Sequence, residues 1–319
     1  MLLDCLFILA GVALVLWGAD RLTEGAASIA RRFNVPEIVI GLTIVAAGTS
    51  APELFVSATS ALQDTPDLAV GNVVGSNIMN TLLIVGVAAM VAPMAISRST
   101  VLKDIPFSAM ASVLLVVLCL DTFDSLDLNG HVISRIDGLI LLAAFALFMV
   151  YTFRVAKQAP AVESADGKSV MPIWKSILFV LLGLACLIVG SNIFVSSASS
   201  VAEQLGVSQS IIGLTIVAGG TSLPELATSV VAARKGQSAI AIGNVIGSNV
   251  FNVLFILGTT AVICPMQIGG ITVIDISVML LSVLLVWLFS YTRFTVEKWE
   301  GALLTLGYMA YAGWLMYMA

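Results

Sequence analysis

Long apolar runs separated by short polar segments recur from one end of the chain to the other. Each run is about as long as the roughly 20 residues that a helix needs to cross a bilayer. The runs are continuous rather than alternating with a period of two, which excludes a transmembrane β-barrel. The pattern predicts an all-α integral membrane protein with ten transmembrane helices, near residues 3–30, 36–62, 68–92, 104–121, 136–153, 174–202, 208–233, 238–263, 271–291 and 300–318.

The composition supports a membrane location. Of the 319 residues, 59% are hydrophobic and 10% are charged, whereas a soluble domain averages about 25% charged residues. A chain this apolar needs lipid to cover it, so the bilayer is its expected partner. No basic cluster suggests nucleic acid, and no protein partner is evident. The four cysteines lie in apolar runs without a CxxC pair, which favours buried thiols over a metal site.

The positive charges predict an orientation. Of the 14 lysines and arginines, all but Arg135 lie near the segments that follow the odd-numbered spans. Segments rich in lysine and arginine stay in the cytoplasm. We therefore expect a multi-pass protein of the plasma membrane with both termini outside and with the polar linker, residues 154–173, in the cytoplasm.

The sequence repeats itself at an offset of 172 residues. Ile40–Phe55 and Ile212–Ala227 are identical at 13 of 16 positions. Gly71–Gly86 and Gly243–Gly258 are identical at 10 of 16, at the same offset. Two blocks in one register indicate an internal duplication.

Each copy of the repeat contains five predicted spans, and an odd number of spans inverts the second copy relative to the first. We expect residues 1–153 to form the first five-helix repeat and residues 174–319 to form the second, inverted repeat. Secondary transporters built in this way place their ion site near the midplane, where the repeats meet. A duplication kept only for packing is the alternative, but the best-matched positions are polar.

Two glutamates lie in the middle of predicted spans. Glu53 is in the second span, and Glu225 occupies the equivalent place in the seventh. A carboxylate at the bilayer centre is costly and usually faces a cavity or a partner. Because no lysine or arginine lies at comparable depth, a bound cation is the natural partner. A protonated glutamate, hydrogen-bonded within the bundle, is the alternative.

A proline precedes each glutamate. Pro52 and Pro224 lack a backbone donor and clash with the carbonyl four residues earlier, so each helix should bend there. Carbonyls freed at membrane depth are tolerated where they line a cavity. The backbone oxygens of Ala46 and Ala218 are therefore candidate ligands. An ordinary proline kink is the simpler alternative.

Further oxygens recur at helical spacing around the glutamates. Residues three or four apart share a helix face, which groups side chains with each glutamate and in the third and eighth spans. Hard oxygen ligands suit calcium, whereas the absence of sulfur and imidazole disfavours zinc and copper. Serine and asparagine could instead only join helices. The candidate ligands are Thr49, Ser50, Ser76, Asn80, Thr221, Ser222, Ser248 and Asn252.

At these positions the chain resembles the cation/calcium exchanger superfamily, and in particular its prokaryotic sodium/calcium exchanger-like members. The two hallmark patterns, GTS-x-P-[ED] and GN-x-x-GSN, each occur twice, as Gly48–Glu53 with Gly71–Asn77 and as Gly220–Glu225 with Gly243–Asn249. The resemblance implies an antiporter that uses the sodium gradient to expel calcium. It implies that the two glutamates bind both ions in competition, with the candidate oxygens completing the sites. It also implies that the first and sixth spans slide across the others.

One position departs from part of that family. Potassium-dependent members and some prokaryotic ones carry aspartate where this chain has Asn252, which argues against potassium co-transport. A calcium/proton antiporter is the nearest rival, and a cation channel is the rival from another class. HExxH and GxSxG are absent, so we expect no enzyme and no cofactor, only transported Ca²⁺ and Na⁺.

Overall fold

The computed structural model describes residues 1–63, 66–119, 132–158, 171–206, 216, 218–268 and 271–318, and these are almost entirely helical. Most of the predicted linker and the start of the seventh predicted span lie outside these ranges. The helices are α1 (Leu2–Arg32), α2 (Glu37–Thr49), α3 (Ala51–Leu62), α4 (Pro66–Ile78, continued by Met79–Ile84 and Val85–Val91), α5 (Thr100–Cys119), α6 (Arg135–Gln158), α7 (Ile173–Gln204), α8 (Ala218–Thr221), α9 (Leu223–Arg234), α10 (Ser238–Ile263), α11 (Val273–Arg293) and α12 (Lys298–Met318).

Seven helices in the described ranges are long and apolar enough to cross a membrane, namely α1, α4, α5, α6, α7, α10 and α11. Helices α2 and α3 would make an eighth span if they are taken together, bent by 46°. Helix α12 has 21 residues but is less apolar, because it contains several glycines, tyrosines and tryptophans. The described residues thus form an all-helical membrane protein.

Short antiparallel ribbons join segments that are distant along the chain. Strand β1 (Met94–Ala95) follows α4 and pairs with β4 (Thr295–Val296), which precedes α12. Strand β2 (Val132–Ile133) precedes α6 and pairs with β3 (Met266–Gln267), which follows α10. Each ribbon therefore connects the N-terminal half to the C-terminal half.

Helices α4 and α10 form the centre of the molecule. In their most apolar stretches 78% and 89% of residues are buried, compared with 17–44% for the other five long spans. Helix α2 packs closely on α10, since a Cβ atom on Gly41 would lie 3.0 Å from the Cα atom of Gly243. The polar repeat segments are therefore in the most enclosed part of the fold.

Helices α1 and α7 pack against each other along most of their length, and they run antiparallel. A Cβ atom on Gly11 would lie 2.8 Å from the Gly190 carbonyl oxygen, and one on Gly18 would lie 2.8 Å from the Gly183 carbonyl oxygen. Gly11 and Gly183 are equivalent at the 172-residue offset, as are Gly18 and Gly190. The two contacts are therefore reciprocal, and small residues permit the close approach.

This seam predicts a stability effect. Gly18→Val places a branched side chain against the α7 backbone, and we expect it to lower stability by about 1–3 kcal/mol, as overpacking usually does. Gly313→Val is the matched control, because a Cβ added there meets no described atom within 4 Å apart from its chain neighbours and its own helix backbone. Thermal unfolding of the detergent-purified protein measures both. Equal melting temperatures for the two variants would contradict close packing of α1 against α7 at these glycines.

Candidate ion-binding site

The polar centre is built on two broken helices. Helix α2 ends at Thr49 and α3 begins at Ala51, with Ser50 between them at φ −81° and ψ 9°. Ser222 separates α8 from α9 in the same way, at φ −89° and ψ 7°. Pro52 and Pro224 are each the second residue of the new helix, so the breaks occur where the prolines predict them.

Each break places its glutamate in the first turn of a helix, Glu53 in α3 and Glu225 in α9. The N-terminal end of a helix carries partial positive charge, which stabilises a carboxylate there. The helix that precedes each break ends at the same place, and its C-terminal carbonyls carry partial negative charge. A carboxylate and a helix C-terminus therefore meet at each break, an arrangement that favours a bound cation.

The two halves hold each other's carboxylates. The Ser222 hydroxyl donates a hydrogen bond to Glu53 Oε1 at 3.1 Å. The Ser50 hydroxyl donates to Glu225 Oε1 at 3.0 Å. The spacing predicted that each serine would share a face with its own glutamate, but the break turns the hydroxyl to the opposite half. Thr221, next to Ser222, also interacts with Glu53.

Both carboxylates are fully enclosed, and each retains one oxygen without a partner. Glu53 is 1% exposed and Glu225 is 0% exposed. The Oε2 atoms of both residues are buried and accept no hydrogen bond from the described residues. Ion pairs formed by the described residues lie elsewhere, as at Asp20 with Lys235. Buried charge of this kind is costly unless it is compensated.

Helices α4 and α10 add oxygens from the other side of the site. Ser248 donates to Glu225 Oε1 at 3.5 Å. The Ser76 hydroxyl lies 3.4 Å from the Ser222 hydroxyl, whose one hydrogen is directed at Glu53. The side-chain oxygens of Asn80 and Asn252 are buried and have no hydrogen-bond partner among the described residues. With the two Oε2 atoms, four unpaired acceptors therefore occur in two symmetry-related pairs. In the described part of the chain, no three His, Cys, Asp or Glu side chains are grouped so that they could hold a metal ion.

The Ala46 carbonyl is not freed by the break as expected, whereas the Ala218 carbonyl remains a prediction. The Ala46 oxygen already accepts hydrogen bonds from the Ser50 amide at 2.9 Å and from the Thr49 hydroxyl at 3.3 Å. The break does not free it, because Pro52 removes the donor from the Gly48 carbonyl and not from that of Ala46. Ala218 opens α8, where only its backbone is described. The one hydroxyl hydrogen of Thr49 is shared between the Ala46 carbonyl and Asn244 Oδ1, which is the closer acceptor at 3.0 Å.

Four asparagines that the sequence interpretation did not assign to the site form hydrogen bonds within or beside it. Asn72 donates to the Glu53 carbonyl at 3.4 Å and to the Ser57 hydroxyl at 3.2 Å. Asn244 makes the equivalent bonds to Glu225 and Ser229, at 3.3 and 3.0 Å. The other two are Asn77 and Asn249. Their positions in the repeated GN and GSN patterns were the available signal.

Asn80 and Asn252 lie in π-helical turns. These turns span Met79–Ile84 in α4 and Phe251–Ile256 in α10. A π turn contains one more residue than an α turn, which redirects the side chains that follow, and such turns are frequent at functional sites. An ideal α-helical spacing does not predict them.

Comparison with known proteins agrees with this geometry. The family described as "Sodium/calcium exchanger protein" matches residues 4–154 and 175–317. The chain belongs to this family. Its members are transporters and not enzymes, so it is a cation/calcium antiporter of the membrane, with ions as substrates.

Several relatives cover nearly the whole chain. The "Putative antiporter CaxA" of Alkalimonas amylolytica is 37% identical over 98% of both chains. The "Sodium/calcium exchanger MaX1" of Methanosarcina acetivorans is 32% identical, again over 98% of both. The solved structure of the sodium-calcium exchanger NCX_Mj, soaked with 2.5 mM Na⁺ and 0.1 mM Ca²⁺, is 31% identical and superposes with a TM-score of 0.82 over 97% of each chain.

The crossed hydrogen bonds predict a matched pair of effects. Ser50→Ala and Ser222→Ala each remove a donor from a buried carboxylate, and we expect either change to lower stability by about 1–3 kcal/mol. Ser277→Ala, at an exposed serine that bonds only its own helix backbone, is the control and should change little. Melting temperatures of the purified variants measure the effect. A loss confined to one half would contradict reciprocal support.

Proposed function

We propose that this antiporter exchanges Ca²⁺ for Na⁺ across the plasma membrane by alternating access. The observation that carries the proposal is the pair of buried carboxylates, each held by the opposite half and each with an unpaired oxygen. Two carboxylates carry two negative charges, which one calcium ion or two sodium ions neutralise. The two kinds of ion would therefore compete for one site.

The ligand set that we propose combines these carboxylates with neutral oxygens, as calcium prefers. The Asn80 and Asn252 oxygens are unpaired, which suits them to this role. The Ala46 carbonyl, which already accepts two hydrogen bonds, would be the weakest member. The full set is Glu53, Glu225, Thr49, Ser50, Ser76, Asn80, Thr221, Ser222, Ser248 and Asn252, with the carbonyls of Ala46 and Ala218.

The architecture that we propose has ten spans in two inverted five-helix repeats. Residues 1–153 would form the first repeat, residues 154–173 a cytoplasmic linker and residues 174–319 the second repeat, with both termini outside. In this arrangement α2 with α3, α8 with α9, and α12 each count as a span. The reciprocal seam between α1 and α7, and the crossed bonds of Ser50 and Ser222, support a two-fold relation between the halves.

The mechanism depends on the cost of an empty site. Unpaired charges in a poorly hydrated interior are unfavourable, so the conformational change would be rare unless ions neutralise both carboxylates. This constraint would couple the two ion movements. Helices α1 and α7, joined by their glycine seam and more exposed than α4 and α10, would be the elements that slide.

Proton coupling is the second candidate. A carboxylate oxygen without a partner could take a proton as well as share a metal ion, and both glutamates have one. The relatives are named in different ways, since MaX1 is called a sodium/calcium exchanger and CaxA only a putative antiporter. A cation channel is the alternative from another class, and it would carry ohmic current without counter-transport.

Calcium-45 uptake into proteoliposomes tests the exchange. We expect uptake into sodium-loaded vesicles to exceed uptake into potassium- or choline-loaded vesicles by at least about tenfold, since the sodium gradient supplies the driving force. Glu53→Gln should abolish this uptake because it removes one of the two charges. Glu297→Gln, between β4 and α12 and outside the proposed site and the proposed sliding helices, should leave it unchanged.

Two results would contradict sodium coupling. Uptake that ignores internal sodium but follows an imposed pH gradient would indicate calcium/proton exchange. Calcium flux that needs no counter-ion and does not saturate would indicate a channel.

A further inference from the structure

The asparagines of α4 and α10 form a directional chain of hydrogen bonds. The Asn77 side-chain nitrogen donates to the backbone carbonyl of Asn249 at 3.3 Å. The Asn77 side-chain oxygen accepts from the Asn252 side-chain nitrogen at 3.0 Å. Asn252 is 0% exposed, and its own oxygen has no partner among the described residues.

The direction of this chain is fixed at its start. A backbone carbonyl can only accept a hydrogen bond, so Asn77 must turn its NH₂ group towards Asn249. Its oxygen then faces Asn252, which must donate a hydrogen bond from its own NH₂ group. The carbonyl end of the Asn252 amide is left as the unpaired acceptor.

The hydrogen bond from Asn252 to Asn77 has a counterpart in which the two halves exchange roles. The Asn80 side-chain nitrogen donates to Asn249 Oδ1 at 3.0 Å, and Asn80 Oδ1 is likewise buried without a partner. Asn249 is equivalent to Asn77 at the 172-residue offset, and Asn80 is equivalent to Asn252. Both amides are therefore oriented in the same sense by an asparagine of the opposite half.

We propose that Asn77 and Asn249 are positioning residues that hold the amides of Asn252 and Asn80 with oxygen, and not nitrogen, towards the transported cation. They do not bind the ion themselves. The proposal rests on the proposed function, in which Asn80 and Asn252 are ligands.

The orientation matters because the two ends of an amide have opposite chemistry. The oxygen is an acceptor with two lone pairs, and the nitrogen carries two donor hydrogens. A reversed amide would direct those hydrogens at a cation and repel it. A carboxylate has an acceptor oxygen at both ends, so its orientation does not need to be fixed. Replacing Asn252 with aspartate therefore separates the orienting effect of Asn77 from its other effects.

A double-mutant cycle tests the proposal on the full-length purified protein. Calcium binding is measured by equilibrium dialysis with calcium-45 for the unaltered chain, Asn77→Leu, Asn252→Asp and the double variant. Leucine has as many side-chain non-hydrogen atoms as asparagine and branches at the same carbon, but it cannot accept a hydrogen bond from Asn252. Asn77→Leu should weaken binding by about tenfold or more, the loss expected when a buried polar group loses its partner. In the Asn252→Asp background, the same change should cost less than about threefold, because orientation no longer matters.

Asn72→Leu is the control for general damage to α4. Its amide bonds the Glu53 carbonyl and Ser57, and not Asn252. We expect its effect on calcium binding to be the same in both backgrounds. A non-additive result for Asn77 and an additive one for Asn72 would separate orientation from loss of packing.

The outcomes are distinct. Equal losses for Asn77→Leu in both backgrounds, or no loss in the unaltered background, would overturn the orienting role while leaving the exchanger intact. Calcium binding that sodium does not reduce would overturn only the proposed competition between the two ions. The double-mutant cycle would still test the orienting role of Asn77. Absence of calcium binding in the unaltered chain would overturn the proposed function, and the orienting role with it.

Discussion

The rest of the structure depends on one constraint, the burial of two carboxylates that pair with no lysine or arginine of the described residues. Glu53 and Glu225 are almost completely enclosed, and each has an oxygen that no described residue satisfies. Such groups are tolerated only where helix termini, hydroxyl donors and a partner ion offset their desolvation. The helix breaks and the crossed serine bonds meet part of this requirement. We propose that a bound cation, shared with the unpaired asparagine oxygens, meets the rest.

The duplicated sequence makes the site a shared property of both halves. Ser50 and Ser222 each support the glutamate of the other half, and Asn77 and Asn249 do the same for the facing amides. Neither half therefore contains a complete site. The more exposed α1 and α7 contact each other through glycine, whereas α4 and α10 form the enclosed centre. We propose that this division separates the ion-binding region from the elements that move during transport.

The sequence predicted the helical membrane class, the family, the breaks at Pro52 and Pro224, and the oxygen-rich character of the centre. It could not predict that Ser50 crosses to Glu225, because regular helical spacing does not describe the residue between two helices. The π turns at Asn80 and Asn252 depend on packing between α4 and α10. The sequence of either helix alone shows no spacing that indicates this packing. The engaged Ala46 carbonyl became evident only once the hydrogen bonds on both sides of the break were known.

Competition at equilibrium tests the central claim most directly. Calcium-45 bound to the purified protein should be displaced by sodium with a Hill coefficient of about two or more, because at least two sodium ions are needed to replace the charge of one calcium ion. Replacing both glutamates with glutamine should abolish the binding. Calcium that remains bound at saturating sodium, or that still binds without either glutamate, would contradict a shared site built on these two carboxylates.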